Sequence, residues 1–215
     1  LALLLLSFLG NGQPLESIVF QHLGKIDGLE NHYNDFLFKD SRGFLWISSI
    51  NGIYRYDGLE LKPYANDFAE FVSQTLASGL EHMLCVSIDL ESWPEMVALI
   101  EDFPQISWSV GVHPNDRDRH EPTVQELVEH AAGMRVVAIG ETGLDYYRSN
   151  GDLDWQQARF RTHIQAAKAT GKPLIVHTRM AKQDTISIMR EEGADSIGGV
   201  MHCFTEDWPM AQQAL

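Results

Sequence analysis

Glu141, His177 and His202 each follow a short apolar run of this chain, Glu141 after an intervening glycine. Imidazole and carboxylate are both ligands that proteins use for divalent metals. A lone histidine after a strand is more often a hydrogen-bonded structural residue. A buried carboxylate without a cationic partner is costly, so Glu141 requires compensation. Three such residues behind three apolar runs therefore favour a metal site over three unrelated structural roles.

A metal site of this composition points to hydrolysis, because a bound divalent metal polarises water and neutralises charge on an attacked group. The carboxylate of Glu141 can bridge two metals about 4 Å apart, which is the arrangement that clamps a phosphodiester during displacement. A single site of two histidines and one glutamate that holds one metal is the alternative.

Four further residues lie close in sequence to these ligand candidates. His113, before Pro114, is a candidate for contact with substrate or water. Asp145 is either a turn or helix-capping residue or a hydrogen-bond partner that orients a ligand histidine. Arg148 and Arg179 can bind a phosphate group, or they can form ordinary salt bridges at the surface.

Apolar strands and amphipathic helices alternate from residue 66 onward, which predicts a parallel sheet with helices outside it. The predicted strands lie at residues 82–87, 106–112, 136–139, 174–176 and 197–201. Polar residues at successive strand ends would share one rim, as on the carboxyl face of a (β/α) barrel. An open doubly wound sheet, which gathers ligands at one switch point, is the alternative. Because a closed barrel needs eight units, the prediction is an incomplete (β/α) TIM-type barrel of about five βα units.

The first 64 residues have a different pattern. Residues 15–64 combine short apolar runs with the turn signals Asn51-Gly52 and Asp57-Gly58, which predicts a β-meander of about one propeller blade. Residues 1–14 are leucine-rich but too short to span a bilayer. We interpret them as the remnant of a secretory signal, with a disordered apolar segment as the alternative. Apart from this possible leader, the sequence predicts no membrane partner.

The formal net charge of −14 gives no support for broad nucleic-acid binding, although bound metal ions can invert a local potential. The two cysteines, Cys85 and Cys203, are far apart in sequence and predict reduced thiols of an intracellular protein.

Residues 66–215 resemble the TatD family of metal-dependent hydrolases, a branch of the amidohydrolase-like TIM-barrel superfamily. Four segments carry the resemblance in order: Val110–Pro114, Gly140–Tyr147, Pro173–Arg179 and Met201–Thr205. The resemblance implies a cytoplasmic enzyme with two divalent metals (Mg, Mn or Zn). It also implies DNA or another phosphodiester as substrate, with DNase activity that is often 3′→5′ exonucleolytic. By resemblance Glu141 is the catalytic, bridging ligand, and His177 and His202 complete the second metal site.

Two parts of the family pattern are missing from this sequence. The family opens with a His-x-His pair for the first metal, and none of the nine histidines is two residues from another. The later Thr-Asp-Ser-Pro segment, whose aspartate binds metal in the family, is also not found. The resemblance therefore implies that one metal site is retained, and we expect weak or no activity from this chain.

Residues 19–64 resemble the regulator-propeller repeat of periplasmic sensors in two-component systems. This resemblance implies export, and it gives the alternative function of a sensor or ligand-binding module. Because the two halves disagree, we expect a junction of unrelated pieces near Tyr64 and Ala65, with residues 65–215 forming the TatD-like part. A third hypothesis is that the five-stranded fragment does not fold stably, since both edges of its sheet would be unpaired.

Overall fold

The computed structural model describes five ranges of the chain: residues 34–39, 43–49, 52–64, 68–115 and 117–215. Two compact units divide between Leu80 and Glu81. The predicted leader at residues 1–14 lies outside the described residues, and the predicted junction near Tyr64 and Ala65 stays a prediction. No helix of the described ranges is long and apolar enough to cross a membrane.

The first unit contains a four-stranded antiparallel meander whose strands pair in chain order. The strands are β1 (Asn34–Lys39), β2 (Leu45–Ser49), β3 (Gly52–Tyr56) and β4 (Leu61–Pro63), and helix α1 follows at Phe68–Ala77. Its buried core consists of Leu45, Ile47 and Tyr56. Asp57 Oδ1 accepts hydrogen bonds from the backbone of Leu59 and Glu60, which closes the turn predicted at Asp57-Gly58.

The hairpin predicted at Asn51-Gly52 joins β2 to β3, because Ser49 pairs with Gly52 across the two strands. Asn51 itself lies outside the described residues. The meander is therefore present, but the resemblance to a propeller repeat gains no support from its topology and stays a prediction.

The second unit is a parallel sheet of five strands that lie side by side in chain order. Its strands are β5 (Met83–Cys85), β6 (Ile106–Val110), β7 (Val136–Asp145), β8 (Leu174–Arg179) and β9 (Gly199–Met201). Helices follow each strand: α2 (Trp93–Ile100), α3 (Val124–Ala131), α4 (Asp154–Thr170), α5 (Lys182–Glu191) and α6 (Trp208–Ala214). A doubly wound sheet would reverse its strand order at a switch point. The order found here is that of part of a TIM-type barrel, as predicted.

Strand β7 is longer than the sequence predicts, and the additional residues include Glu141. The prediction ended the strand at Ile139, whereas the structure continues it through Glu141 to Asp145. Between Ile139 and Thr142 the strand advances three residues while β8 advances two, from Leu174 to Val176. This irregularity is an extra residue in β7, and such bulges re-aim side chains beside functional sites. The apolar pattern stops at Ile139 because the continuation carries functional residues.

Helix α4 packs against β7 through an apolar face whose residues recur at helical spacing. Phe160, Ile164 and Ala167, at i, i+4 and i+7, are all fully buried. Gly171, in the left-handed conformation, ends the helix. Burial of a large apolar side chain contributes roughly 1.5–3 kcal/mol. This face therefore holds α4 firmly against the strands that carry the candidate site.

Candidate metal centre

Four polar residues meet at the carboxyl end of the parallel sheet. His113 follows β6, Glu141 lies within β7, His177 lies in β8 and His202 follows β9. The distances from Glu141 Oε1 are 2.8 Å to His202 Nδ1, 3.3 Å to His177 Nδ1 and 4.0 Å to His113 Nε2. The structure thus places one carboxylate among three imidazoles, and it brings together every ligand candidate of the sequence.

Ligand atoms of His113, Glu141 and His177 all lie within 4.8 Å of one another. His202 is not part of that group, although its Nδ1 is the nitrogen nearest to Glu141. Bond lengths of about 2.1 Å place ligand atoms ~3.0 Å apart at a right angle and ~3.4 Å apart at a tetrahedral angle. The contacts from Glu141 to His202 and to His177 each match such a separation, whereas the three residues whose ligand atoms lie mutually close include His113 in place of His202.

Close backbone packing fixes the position of Glu141. A Cβ at Gly140 would lie 2.5 Å from the carbonyl oxygen of Ile175, and a Cβ at Gly143 would overlap the carbonyl oxygen of His177. Both glycines also have φ values that other residues rarely adopt, +141° and +133°. Only glycine at these two positions lets β7 lie close enough to β8 for Glu141 and His177 to meet.

The Glu141 side chain is ionised in this environment. Burial alone raises the pKa of a carboxyl, but the neighbouring imidazoles of His177 and His202 outweigh burial and lower the Glu141 pKa from 4.5 to about 2. The charge is therefore retained at every pH at which a divalent metal would bind. This is the compensation that the buried carboxylate was predicted to require.

Asp145 fills both of the roles between which the sequence could not choose. Its Oδ1 accepts hydrogen bonds from the backbone N–H groups of Tyr147 and Arg148, at 3.0 and 2.9 Å, which makes it the capping residue of the turn after β7. Its Oδ2 lies 3.2 Å from His177 Nε2. One oxygen thus holds the turn and the other orients the histidine.

His177 consequently stands between two carboxylates, with Nδ1 facing Glu141 and Nε2 facing Asp145. A neutral imidazole carries one N–H and can satisfy only one of them. When Nε2–H donates to Asp145, the lone pair of Nδ1 faces the Glu141 oxygen, and two acceptors repel each other unless a cation lies between them. A ligand histidine whose second nitrogen donates to a carboxylate is the usual arrangement at protein metal sites. The donor set therefore fits a divalent metal.

Arg148 lies three residues after the end of β7, and Arg179 is the last residue of β8. The Arg179 guanidinium lies over the Tyr147 ring, 4.0 Å from its centroid, and Tyr147 is 59% exposed. Neither Arg148 nor Arg179 forms an ion pair with a residue that the structure describes. The alternative of ordinary salt bridges therefore gains no support. Both positive charges remain available beside the carboxylate cluster.

A layer of buried polar side chains on α4 supports the site, and sequence reasoning missed it. Gln156 exchanges two hydrogen bonds with the backbone of Asp145, at 2.9 and 3.2 Å. Arg159 donates to the His113 carbonyl at 2.8 Å, and His163 accepts from the backbone N–H of Val112 at 2.9 Å. The signal was present in the sequence. These three residues share the helical face of Phe160 and Ile164, where a polar residue requires a buried partner.

A family model described as TatD related DNase matches residues 58–215. The chain is 39% identical over 160 residues to the uncharacterized metal-dependent hydrolase YcfH of Escherichia coli, an alignment that covers 74% of this chain and 60% of YcfH. It is 31% identical over 144 residues to the 3′-5′ ssDNA/RNA exonuclease TatD of Edwardsiella piscicida, covering 66% and 55%. This chain thus spans about 60% of the length of such relatives.

Among solved structures, the fold is similar to that of YJJV, a TatD homologue of E. coli. The TM-score is 0.58 at 23% identity, and the match covers 69% of this chain and 61% of that one. The similarity supports the fold, a partial TIM-type barrel. These matches give no support to the alternative of a sensor module.

Proposed function

Since this chain belongs to the TatD family of metal-dependent hydrolases, we propose that it hydrolyses phosphodiester bonds of DNA in the manner of a 3′→5′ exonuclease. The relative from Edwardsiella piscicida bears the name of an exonuclease on single-stranded DNA and RNA. The observation that carries the proposal is the position of Glu141, one ionised carboxylate in contact with two histidines at the carboxyl end of the sheet.

Glu141, His177 and His202 would hold one divalent metal. When bound, Mg²⁺, Mn²⁺ or Zn²⁺ supplies Lewis acidity toward a phosphate oxygen and lowers the pKa of a water molecule. Imidazole ligands suit Zn²⁺ and Mn²⁺, and the carboxylate also suits Mg²⁺. Asp145 holds the Nε2 proton of His177, which leaves Nδ1 as the atom that faces Glu141.

Arg148 and Arg179 are the residues that we assign to the phosphate groups of the substrate. The whole chain carries a net charge of −14, so binding of a polyanion depends on a local reversal of the potential. Two arginines without ion pairs in the described ranges, together with the metal, supply that reversal. The exposed Tyr147 ring beside Arg179 gives a base a surface on which to stack.

We expect turnover by this chain to be slow. A site of one metal stabilises less charge in the transition state than a pair of metals that clamps both the attacking and the leaving oxygen. Among the nine histidines no His-x-His pair is present to supply the first-metal ligands of the family pattern.

Hydrolysis of bis(p-nitrophenyl) phosphate, and of a 3′-labelled single-stranded oligonucleotide, by the full chain with Mg²⁺, Mn²⁺ and Zn²⁺ tests the proposal. We expect slow turnover that requires metal and is abolished by Glu141→Ala. Glu95→Gln, an exposed position on α2, is the matched control and should retain the wild-type rate. Turnover without metal, or turnover that Glu141→Ala leaves intact, contradicts the proposed function. Fast turnover that Glu141→Ala abolishes contradicts only the expectation of weak activity.

A further inference from the structure

We infer that His113 is a substrate-binding hydrogen-bond donor and not a metal ligand, because its backbone surroundings hold the ring in the tautomer that carries its proton on Nε2. The inference deepens the proposed function, on which it rests for the identity of the substrate. It concerns the one histidine that lies in the compact group with Glu141 and His177 but that the sequence assigned to substrate or water contact.

The tautomer follows from a single hydrogen bond. The backbone N–H of Asn115 donates to Nδ1 of His113 at 3.2 Å. A backbone N–H can only donate, so Nδ1 must present its lone pair and cannot carry a proton. The one proton of a neutral imidazole is then on Nε2. An imidazolium is excluded by the same contact, because it would place two N–H donors face to face.

Hydrogen bonds fix both the N–H and the carbonyl of His113, which holds the ring in contact with the Asn115 N–H. The N–H of His113 donates to the carbonyl of Ile88 at 2.8 Å, and the carbonyl of His113 accepts from Arg159 at 2.8 Å. The ring packs edge to face against His177, with centroids 4.6 Å apart. A ring flip about the Cβ–Cγ bond exchanges Nδ1 with Cδ2, which would turn a carbon toward the Asn115 N–H. It would not remove the need for an acceptor beside the Asn115 N–H.

His177 shows the opposite arrangement, and the contrast assigns the two roles. The second nitrogen of His177 faces a carboxylate, which takes its proton and leaves Nδ1 unprotonated toward Glu141. The second nitrogen of His113 faces a donor, which leaves the proton on the nitrogen that points toward Glu141. A metal on His113 Nε2 would displace that proton to Nδ1, directly against the Asn115 N–H. His177 is therefore arranged as a ligand and His113 as a donor.

The distance between His113 Nε2 and Glu141 Oε1 leaves room for a third atom. At 4.0 Å it is too long for a hydrogen bond, and a separation of this kind is commonly bridged. The His113 side chain is 17% exposed, so the ring is partly open to solvent. The ligand class that fits is an anionic oxygen, namely a phosphate oxygen of a nucleotide or the water that attacks it. An N–H donor at this point would stabilise charge that develops on such an oxygen.

The first test uses the wild-type chain and needs no substitution. Nitrogen-15 NMR of the histidine rings at pH 7 should show His113 as the Nε2–H tautomer in metal-free protein and unchanged after addition of Zn²⁺. His177 should change its ring-nitrogen signals when Zn²⁺ is added. An Nδ1–H tautomer for His113, or a shift of its Nε2 signal typical of metal coordination, overturns the inference. Because the metal-free spectrum decides the tautomer alone, this result does not depend on whether the proposed function holds.

The second test separates binding of metal from binding of anion. We expect His113→Gln and His113→Leu to leave the Kd for Zn²⁺ within about threefold of wild type. Removal of a ligand such as His177 should raise that Kd at least tenfold, since even changes around the ligands cost 10–100-fold. Binding of thymidine 5′-monophosphate should weaken about tenfold in His113→Leu and be partly restored in His113→Gln, whose amide N–H lies near the place of Nε2. A loss of Zn²⁺ affinity in both variants overturns the inference. Failure of the wild type to bind Zn²⁺ argues against the proposed function instead.

Discussion

The buried polar side chains of helix α4 and those at the carboxyl ends of β7 and β8 differ in how completely the chain satisfies them. His163 uses both ring nitrogens, with Nδ1 beside the Arg159 carbonyl at 2.8 Å and Nε2 accepting from Val112. Glu141 and His177, in contrast, place two acceptors 3.3 Å apart. Buried polar groups whose hydrogen bonds are completed within the chain contribute to stability. Two buried acceptors that face each other indicate a bound cation, because no group of the chain itself satisfies them.

The largest effect that we expect concerns the close packing of β7 against β8. Both the polar side chains of α4 and the candidate site depend on this packing. Gly143→Ala would press a methyl group against the His177 carbonyl in a conformation that alanine rarely adopts. We expect a loss of at least about 3 kcal/mol in the free energy of unfolding, measured by urea denaturation. Gly151→Ala is the matched control, since Gly151 also has a positive φ, +83°, but no atom within 4 Å of the added Cβ. Its cost should be about 1 kcal/mol. If the two substitutions lowered the free energy of unfolding equally, the loss would come from the positive φ and not from the contact between β7 and β8.

The next prediction tests whether the α4 layer is purely structural. His163→Leu leaves the buried N–H of Val112 without its acceptor, which costs about 2 kcal/mol. The loss should appear in chemical denaturation with and without metal, while the Kd for Mn²⁺ changes less than threefold. Thr162→Ala, at the neighbouring and more exposed position of α4, should cost less than about 0.5 kcal/mol. If the affinity for Mn²⁺ fell together with stability, the α4 layer would contribute to metal binding and its role would not be purely structural.

A smaller effect concerns the pH dependence of stability, to which burial of His163 contributes. Burial lowers the His163 pKa from 6.5 to about 4, so the unfolded chain binds a proton more readily than the folded chain between these values. The stabilising contribution is complete above pH 6.5 and is lost as the pH falls through about 4. We expect Tm to decrease between pH 7 and pH 5, and the decrease to be smaller in His163→Leu. An equal decrease in both proteins would assign the pH dependence to other groups.

The smallest expected effect lies at the edge of the candidate site. Arg179→Ala removes one positive charge beside the metal ligands and should weaken binding of thymidine 5′-monophosphate about fivefold, or about 1 kcal/mol. Arg190→Ala, on the exposed side of α5, should leave binding unchanged. Isothermal titration at two salt concentrations checks both variants. If Arg179→Ala did not change the binding of thymidine 5′-monophosphate, Arg179 would not be part of the phosphate site.

The elements that position the site could be predicted from the sequence because each follows a local rule. Alternating apolar runs predict the parallel sheet, and the spacing of Phe160, Ile164 and Ala167 matches the buried face of α4. Glu141, His177 and His202 were recognised because each polar residue follows an apolar strand. Their meeting required only that the ends of consecutive parallel strands lie on one rim.

What could not be predicted depends on contacts between residues far apart in the chain. The bulge at Gly140 and Glu141 arises from the register of β7 against β8, which no local pattern encodes. The division of Asp145 between a turn and His177 requires the geometry of both oxygens. The link from His163 to Val112 joins residues 51 positions apart. The partners of Gln156, Arg159 and His163 lie in other segments of the chain, which the pattern of helix α4 alone does not identify.

The account depends most directly on whether Glu141 and His177 bind a divalent metal together. Isothermal titration of the metal-free chain with Mn²⁺ at pH 7 measures this without reference to substrate or turnover. We predict a stoichiometry near one and at least a hundredfold loss of affinity in Glu141→Gln and in His177→Gln, with wild-type affinity in Glu95→Gln. Equal affinity in all four proteins, or no binding by the wild type, would contradict the metal centre and the proposed function with it.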